Sequence, residues 1–165
     1  MKKVKPLGII ICAFCTLLTS CLGSETSVQT KNTSYHIQVP LAPWGPLSAE
    51  PLDADFAYQN TKTGSSFYVR SACNIYQDAS LDQLTISLVR LFDHPKIIDS
   101  KPGTLAKRAA KTTTLTGEMD GVPVQVKITI LKKNSCNFDF VYVSIPKFFQ
   151  QDVTAYEKFV NSFNL

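Results

Sequence analysis

The chain has 165 residues, of which 44% are hydrophobic and 18% are charged. This length predicts one compact domain, and 10% aromatic residues with so few charges exclude intrinsic disorder of the whole chain. The net charge of +4 is concentrated at the N-terminus, where Lys2, Lys3 and Lys5 supply three of the 17 basic residues. Residues 21–165 then hold 14 basic and 13 acidic residues, or +1, which gives no basis for a nucleic-acid partner.

Residues 1–20 have the form of a bacterial export signal. Three lysines precede an apolar run over residues 7–18. Twelve helical residues span about 18 Å, which is short of the roughly 30 Å hydrocarbon core of a bilayer. The pattern therefore predicts a cleaved signal peptide rather than a transmembrane helix.

The run ends in Leu18-Thr19-Ser20-Cys21, which resembles the lipobox of bacterial lipoproteins: an aliphatic residue, two small residues and the acylated cysteine. The resemblance implies acyl chains on Cys21 that hold the protein on a membrane. Leu22 stands where Asp favours inner-membrane retention in enterobacterial lipoproteins. The prediction is therefore the outer membrane, facing the periplasm or the cell surface. An ordinary signal peptide, with Cys21 as a spare thiol or disulfide partner, is the alternative.

Residues 21–34 are predicted to be the acylated cysteine and a flexible tether, because they are rich in Ser, Thr, Gln, Asn and Gly. A flexible chain of this length has a root-mean-square reach of about 20 Å. Residues 35–165 are predicted to form a single domain that works close to the membrane.

The first half of this domain is predicted to be mainly strands. Alternating apolar residues predict a strand over 35–39 and further strands at 56–58 and 67–73. Four prolines predict an irregular loop over 40–52, and residues 60–64 have the composition of a hairpin loop.

A helix follows, because Ser80 and Gln83 have the spacing of a capping box and apolar residues then recur at helical spacing. This helix is predicted to end near His94-Pro95. A short strand is predicted to begin at Ile97 and to be broken by Pro102-Gly103.

The second half is predicted to be a meander and a final helix. Asp120-Gly121 and Asn134-Ser135 predict hairpin turns that separate strands at 105–119, 122–130 and 138–143. A C-terminal helix follows Pro146. The order predicts an α+β fold, in which an antiparallel β-sheet carries two packed helices.

This order of elements over roughly residues 35–163, with the Pro43-Trp44-Gly45 loop and the Asp120-Gly121 hairpin, resembles the PsbP-like α+β sandwich. That family consists of small extrinsic proteins that dock on membrane complexes, and it includes bacterial lipoproteins. The resemblance implies the fold and an accessory role at a membrane, but it assigns no functional residues.

The cysteines predict one disulfide bond. Cleavage of the signal leaves Cys21, Cys73 and Cys136, and acylation of Cys21 would leave an even pair. Cys73 ends one predicted strand and Cys136 begins another, in a compartment that permits disulfides. Two buried free thiols are the alternative. The pair is not part of the general PsbP-like pattern, which suggests a separate bacterial branch of that family.

The residues with chemical potential predict binding rather than catalysis. His36 and His94 are the two histidines, and no His-x-x-x-His, Cys-x-x-Cys or Gly-x-Ser-x-Gly spacing occurs. We therefore predict a non-enzymatic protein without a cofactor or metal. An enzyme would need a cleft that places a histidine beside a carboxylate or hydroxyl. Asp53 and Asp55, with Glu50 nearby, could bind Ca²⁺, but a solvated loop explains them better.

Two groups are candidates for a contact surface. Trp44, Phe148 and Phe149 form the predicted binding surface, although Trp44 could instead close the open end of the sandwich. Because Phe148 and Phe149 are adjacent, they cannot share one helix face. Lys107, Arg108 and Lys111 could face anionic lipid or lipopolysaccharide, although a solvated strand face is the simpler explanation.

The sequence leads to one functional hypothesis and one alternative. The preferred hypothesis is a membrane-anchored lipoprotein whose domain binds a protein partner or supports an envelope complex. The alternative is a module that holds a lipid, a peptidoglycan fragment or a metal between helix and sheet.

Overall fold

The computed structural model describes residues 31–32, 34–49 and 52–165. The predicted signal peptide, the Cys21 lipidation site, most of the predicted tether and Glu50 lie outside these residues. Among the residues described, no helix is both long enough and apolar enough to cross a membrane.

The described residues form one antiparallel sheet of seven strands in the order β1-β2-β3-β7-β6-β5-β4. β7 lies in the middle and is almost entirely buried, which explains why its sequence is apolar on both faces. The strands are β1 (Trp44–Pro46), β2 (Phe56–Asn60), β3 (Ser66–Cys73), β4 (Asp93–Leu105), β5 (Arg108–Met119), β6 (Val122–Lys133) and β7 (Cys136–Ser144).

Two helices of the described chain, α1 (Leu81–Val89) and α2 (Pro146–Asn161), cover opposite faces of this sheet. On the α1 face, Leu84 and Val89 pack with apolar residues of β5 and β6. On the α2 face, aromatic residues of β3 and β7 pack with α2. The predicted α+β fold is therefore confirmed. The predicted capping box is also present, since Gln83 N donates to Ser80 Oγ at 3.2 Å and Ser80 N donates to Gln83 Oε1 at 2.8 Å.

Residues 35–43, here called the strap, run beside α2 and share its face of the sheet. The Tyr35 ring lies 5.6 Å from the Phe138 ring and 5.1 Å from the Phe163 ring. The predicted strand over 35–39 is wrong, because His36 makes only an isolated bridge with Asn164. Tyr35 and Ile37 pack on the face of the sheet, and the strap does not add a strand to its edge.

Two other boundaries differ from the prediction. α1 ends at Val89, and β4 continues through Pro102-Gly103 instead of breaking there. β4 is an edge strand that pairs only with β5, so a proline with no N–H can lie there when its nitrogen faces solvent. The loop predicted over 40–52 also contains β1, whose residues pair with β2.

The folded part of the chain begins before residue 35. Asn32 N donates to Ser71 Oγ at 2.9 Å, and Asn32 Nδ2 lies 3.6 Å from Cys136 Sγ. Lys31 Nζ lies 3.0 Å from Asp53 Oδ1. These residues, which the composition assigns to the tether, therefore contact the sheet.

Cys73 and Cys136 stand opposite each other in β3 and β7, with 3.9 Å between their Cα atoms, and the structure joins them in a disulfide bond. We call this edge of the molecule, with the adjoining turns at 106–107 and 134–135, the disulfide end. The β5–β6 turn at 120–121 and the start of α2 lie at the opposite end.

Candidate functional site

The three aromatic residues predicted to form a binding surface have different environments. Phe149 is 3% exposed, and its ring lies 5.2 Å from the Tyr142 ring, so it belongs to the core. Phe148 is half-buried, with Lys147 Nζ 4.6 Å from the centre of its ring. Trp44 is half-buried at the end of the strap. The two phenylalanines therefore divide between core and surface, as their adjacency requires.

Trp44 lines an open, mostly apolar groove between the strap and α2, with a volume of about 380 Å³. We call it the strap groove. Two of its apolar side chains face solvent, since Val39 is 62% exposed and Leu41 is 81% exposed. One wall includes Val39, Leu41, Pro43 and Trp44, and the other includes Thr154, Ala155, Lys158 and Phe159.

The strap holds its shape through contacts at both ends. At its start, His36 N donates to Asn164 O at 2.8 Å, and Gln38 N donates to Ser162 Oγ at 2.8 Å. At its end, Thr61 N donates to Pro43 O at 3.1 Å. The groove is therefore a built part of the fold rather than a gap beside a free loop.

The Trp44 ring lies 4.5 Å from the Phe67 ring, which itself packs on Phe159 at 4.8 Å. Trp44 thus both closes the core and lines the open groove, so the two roles weighed for it are combined. The one charged side chain in the groove lining is Lys158. An apolar channel with a single cation at its rim can bind an amphipathic segment, but it has no nucleophile and base in contact.

His36 and His94 lie outside the strap groove. His94 Nδ1 lies 3.7 Å from Glu118 Oε2, but the His94 side chain is 84% exposed. His36 is exposed in the strap, where its backbone pairs with Asn164. Neither histidine lines the strap groove.

The carboxylates considered for Ca²⁺ are occupied by cationic and hydroxyl groups of the chain itself. The hydrogen bond from Lys31 is the main reason that the pKa of Asp53 lies below its usual value, and Arg70 adds to this effect. Asp55 accepts a hydrogen bond of 2.9 Å from the Tyr35 hydroxyl. In the described part of the chain, no three His, Cys, Asp or Glu residues are grouped as metal ligands.

The structure also reveals a buried carboxylate that the sequence analysis missed. Asp152 of α2 is 5% exposed and accepts hydrogen bonds from Asn60 Nδ2 at 3.0 Å and Ser65 Oγ at 2.7 Å. Thr63 Oγ1 is a third donor, at 2.5 Å. The signal was available, since Asp152 lies three residues after Phe149 and four before Tyr156, which places it in the apolar stripe of α2. This network fixes α2 to the β2–β3 hairpin.

A second buried carboxylate lies on the α1 face. Asp139 is 7% exposed, stands opposite Arg70 in the neighbouring strand, and has one oxygen without a hydrogen-bond partner. Burial raises the pKa of Asp139 to about 6, and the positive charges of Arg70 and Lys31 oppose this rise. The side-chain nitrogen of Asn137, two residues away, also has no partner.

The predicted basic cluster is divided by the fold. Lys111 forms an ion pair with Asp82 of α1. Lys107 and Arg108 lie at the β4–β5 turn of the disulfide end, where Lys133 ends β6. The fold therefore groups Lys107 and Arg108 with Lys133 rather than with Lys111.

No protein-family model and no curated protein sequence matches the chain. The fold is similar to that of the cyanobacterial PsbP protein CyanoP from Synechocystis sp. PCC 6803, with a TM-score of 0.60 and 9% identity over 90% of this chain and 98% of that one.

Two other solved structures are similar. LpqN, involved in cell envelope biogenesis of Mycobacterium tuberculosis, has a TM-score of 0.56 and 12% identity over 81% of this chain and 84% of its own. The Pseudomonas aeruginosa protein of unknown function PA94 has a TM-score of 0.52 and 8% identity over 83% of this chain and 85% of its own. At these identities the likeness establishes the PsbP-like fold alone.

Proposed function

We propose that the chain is a membrane-anchored bacterial lipoprotein whose α+β domain is a non-enzymatic module that binds an envelope protein. The observation that carries this proposal is the strap groove, where Leu41 is 81% exposed beside Trp44. Exposed apolar residues next to a half-buried aromatic side chain are typical of a protein contact. The similarity of fold to LpqN, which is involved in cell envelope biogenesis, supports an envelope role.

The groove fits an extended apolar segment of a partner protein that carries an acidic group. The wall formed by Val39, Leu41 and Trp44 offers apolar area, and Lys158 offers one cation at the rim. Such a segment would bury the exposed apolar area and pair with the lysine in a partly desolvated site.

Where α2 packs on β3 and β7, the interface has no room for a ligand between helix and sheet. Phe67, Tyr142, Tyr156 and Phe159 fill this interface, and each is at most 2% exposed. A separate cleft of about 230 Å³ lies between the C-terminal half of α2 and strands β4 to β6. The strap groove lies beside α2 and opens to solvent. A surface of this kind favours a macromolecular partner over an enclosed small ligand.

The groove can be tested by site-specific photo-crosslinking in cells. A photoreactive residue at position 41 should give one defined adduct, and the same residue at Lys62, an exposed position of the β2–β3 turn, is the matched control. The adduct should be identified by mass spectrometry and the partner purified. We expect Leu41→Asp to weaken binding to the purified partner at least about tenfold. Equal crosslinking at both positions would contradict the proposal.

The anchor has a separate test. Cys21→Ser should move the protein from the membrane fraction to the soluble fraction, because the acyl chains would be absent. Unchanged fractionation would contradict the lipoprotein assignment and leave the groove hypothesis intact.

A further inference from the structure

We propose that the disulfide end of the domain is a docking surface for anionic lipid headgroups, and that it contacts the membrane to which Cys21 is attached. The inference rests on the lipid anchor of the proposed function. It concerns a different surface from the strap groove, and it assigns a partner by its charge.

The first observation is a group of unpaired cations. Lys107 and Arg108 are exposed at the β4–β5 turn, and Lys133 is half-buried at the end of β6. Arg108 of β5 and Lys133 of β6 are cross-strand neighbours. Each lies two positions beyond the paired residues Ala110 and Leu131, toward the disulfide end. Within the described chain, none of the three cations has an ion-pair partner.

The second observation is a cleft of about 300 Å³ that is lined by two of these cations, Arg108 and Lys133. Side chains that can donate hydrogen bonds border it, as a phosphate group requires. They include Gln77, Arg108, Lys133, Asn134 and Ser135.

The third observation is an aromatic residue presented beside the cleft. Lys132 Nζ donates to the carbonyl oxygens of Tyr76 at 3.2 Å and Ala79 at 2.9 Å, and also to that of Gln77. These bonds hold the loop over residues 74–79, from which Tyr76 projects with 58% exposure. A tyrosine beside lysines is typical of a surface that meets the headgroup region of a bilayer.

The fourth observation is where the N-terminal chain joins the domain. Asn32 hydrogen-bonds to Ser71 and Cys136 at the disulfide end. Only residues 22–31 separate Cys21 from this point in the sequence, so the proposed anchor would keep the disulfide end close to the membrane. Within about one Debye length of the surface, or about 8 Å at physiological salt, an anionic membrane would attract these cations.

The distribution of acidic residues favours the same orientation. Asp93, Glu118 and Asp120 lie at the opposite end, around the β5–β6 turn. At the disulfide end, the loop over residues 74–79 contains one carboxylate, Asp78. The basic residues at this end are Lys107, Arg108, Lys132 and Lys133. An anionic membrane would therefore attract the disulfide end, whereas at the opposite end these carboxylates offset the charges of Lys62 and Lys147.

The experiment uses the full acylated chain reconstituted into vesicles of phosphatidylcholine, alone or mixed with phosphatidylglycerol. The rate of lysine acetylation is then measured at each site by mass spectrometry. We expect Lys107 and Lys133 to react about fivefold more slowly on the anionic vesicles. Lys62, at the opposite end, should react equally on both. High salt should abolish the difference, because it screens the attraction.

A variant pair sharpens the test. Arg108→Gln with Lys133→Gln should remove the protection of Lys107, whereas Lys96→Gln on the exposed edge strand should leave it unchanged. Equal reactivity of Lys107 on both vesicle types overturns the docking surface.

Flotation of the same samples distinguishes this failure from failure of the anchor. Protein that floats with both vesicle types but shows no lysine protection is anchored without docking, which overturns the inference alone. Protein that floats with neither type overturns the anchor and the inference together. Protein that floats only with anionic vesicles supports docking and overturns the anchor.

Discussion

The hydroxyl of Ser65 donates a 2.7 Å hydrogen bond to the carboxylate of Asp152, and it lies 2.8 Å from the hydroxyl of Ser144. The contact joins the β2–β3 hairpin to the first half of α2, next to the place where β7 ends. Asn60 and Thr63 donate to the same carboxylate. A buried carboxyl group that accepts from three donors therefore sets the position of α2, which forms one wall of the strap groove.

We expect Asp152→Ala to lower the free energy of unfolding by about 3 kcal/mol or more. The substitution removes three hydrogen bonds at once, those from Asn60, Thr63 and Ser65, and each contributes about 1 kcal/mol. Urea unfolding measures the change, and Gln151→Ala, at the exposed neighbouring position, is the matched control. Equal stability of the two variants would show that the network does not hold the helix.

Elements with local signals were predicted correctly. The Ser80 and Gln83 capping box and the Asp120-Gly121 turn each depend on residues a few positions apart, so the sequence contains the whole interaction. The apolar even-numbered face of β6 also follows from alternation alone. The PsbP-like α+β arrangement came from the order of such elements.

Features that depend on distant residues were not predictable in this way. Whether Pro102 breaks a strand depends on its being at the edge of the sheet, and that position is decided by the pairing of the other strands. The strap over 35–43 alternates like a strand, but its neighbours are the sheet face and the C-terminal segment at Asn164.

The same limit applies to the candidate site. Adjacency of Phe148 and Phe149 predicts that one of them leaves the core, but only the packing against Tyr142 decides that it is Phe148. The strap groove needs the strap beside α2, which no local pattern indicates.

The β6–β7 turn offers a stability test that involves backbone conformation alone. Asn134 and Ser135 have φ angles of 53° and 60°, where a side chain is unfavourable. We expect Ser135→Gly to raise the free energy of unfolding by about 1 kcal/mol, measured in urea.

The matched control is Gly121→Ala in the β5–β6 turn, where φ is 75° and no heavy atom lies within 4 Å of an added Cβ. It should lose about 1 kcal/mol for the same reason. A loss of stability in Ser135→Gly would mean that the serine side chain contributes more than its backbone costs.

Removal of the disulfide should destabilise the domain strongly. Cys73 and Cys136 are 63 positions apart, and closing a loop of that length stabilises a fold by about 4 kcal/mol in the chain-entropy model. The Cys73→Ala/Cys136→Ala variant should therefore unfold at a much lower urea concentration. Wild-type protein treated with a reductant should match the variant, whereas equal stability of oxidised and reduced protein would contradict the prediction.

As the pH rises from about 4 to about 6, the stability of the domain should decrease because of Asp139. Burial raises its pKa to about 6 in the folded state, against about 3.9 for an unfolded aspartate. Between these values the folded protein binds more protons than the unfolded chain, so the free energy of unfolding decreases as the pH rises. The stabilising contribution is complete below about pH 4 and is lost through about pH 6, with a size of about 3 kcal/mol.

The variant Asp139→Asn isolates this effect, because the amide does not titrate. The difference in unfolding free energy between wild type and Asp139→Asn should change by about 3 kcal/mol across the same pH window, in favour of wild type at the acidic end. Urea unfolding at several pH values gives this difference directly. Asp99→Asn, on the exposed strand β4, should keep the pH slope of wild type. If the unfolding free energy of Asp139→Asn depended on pH as that of wild type does, the titrating group would be a residue other than Asp139.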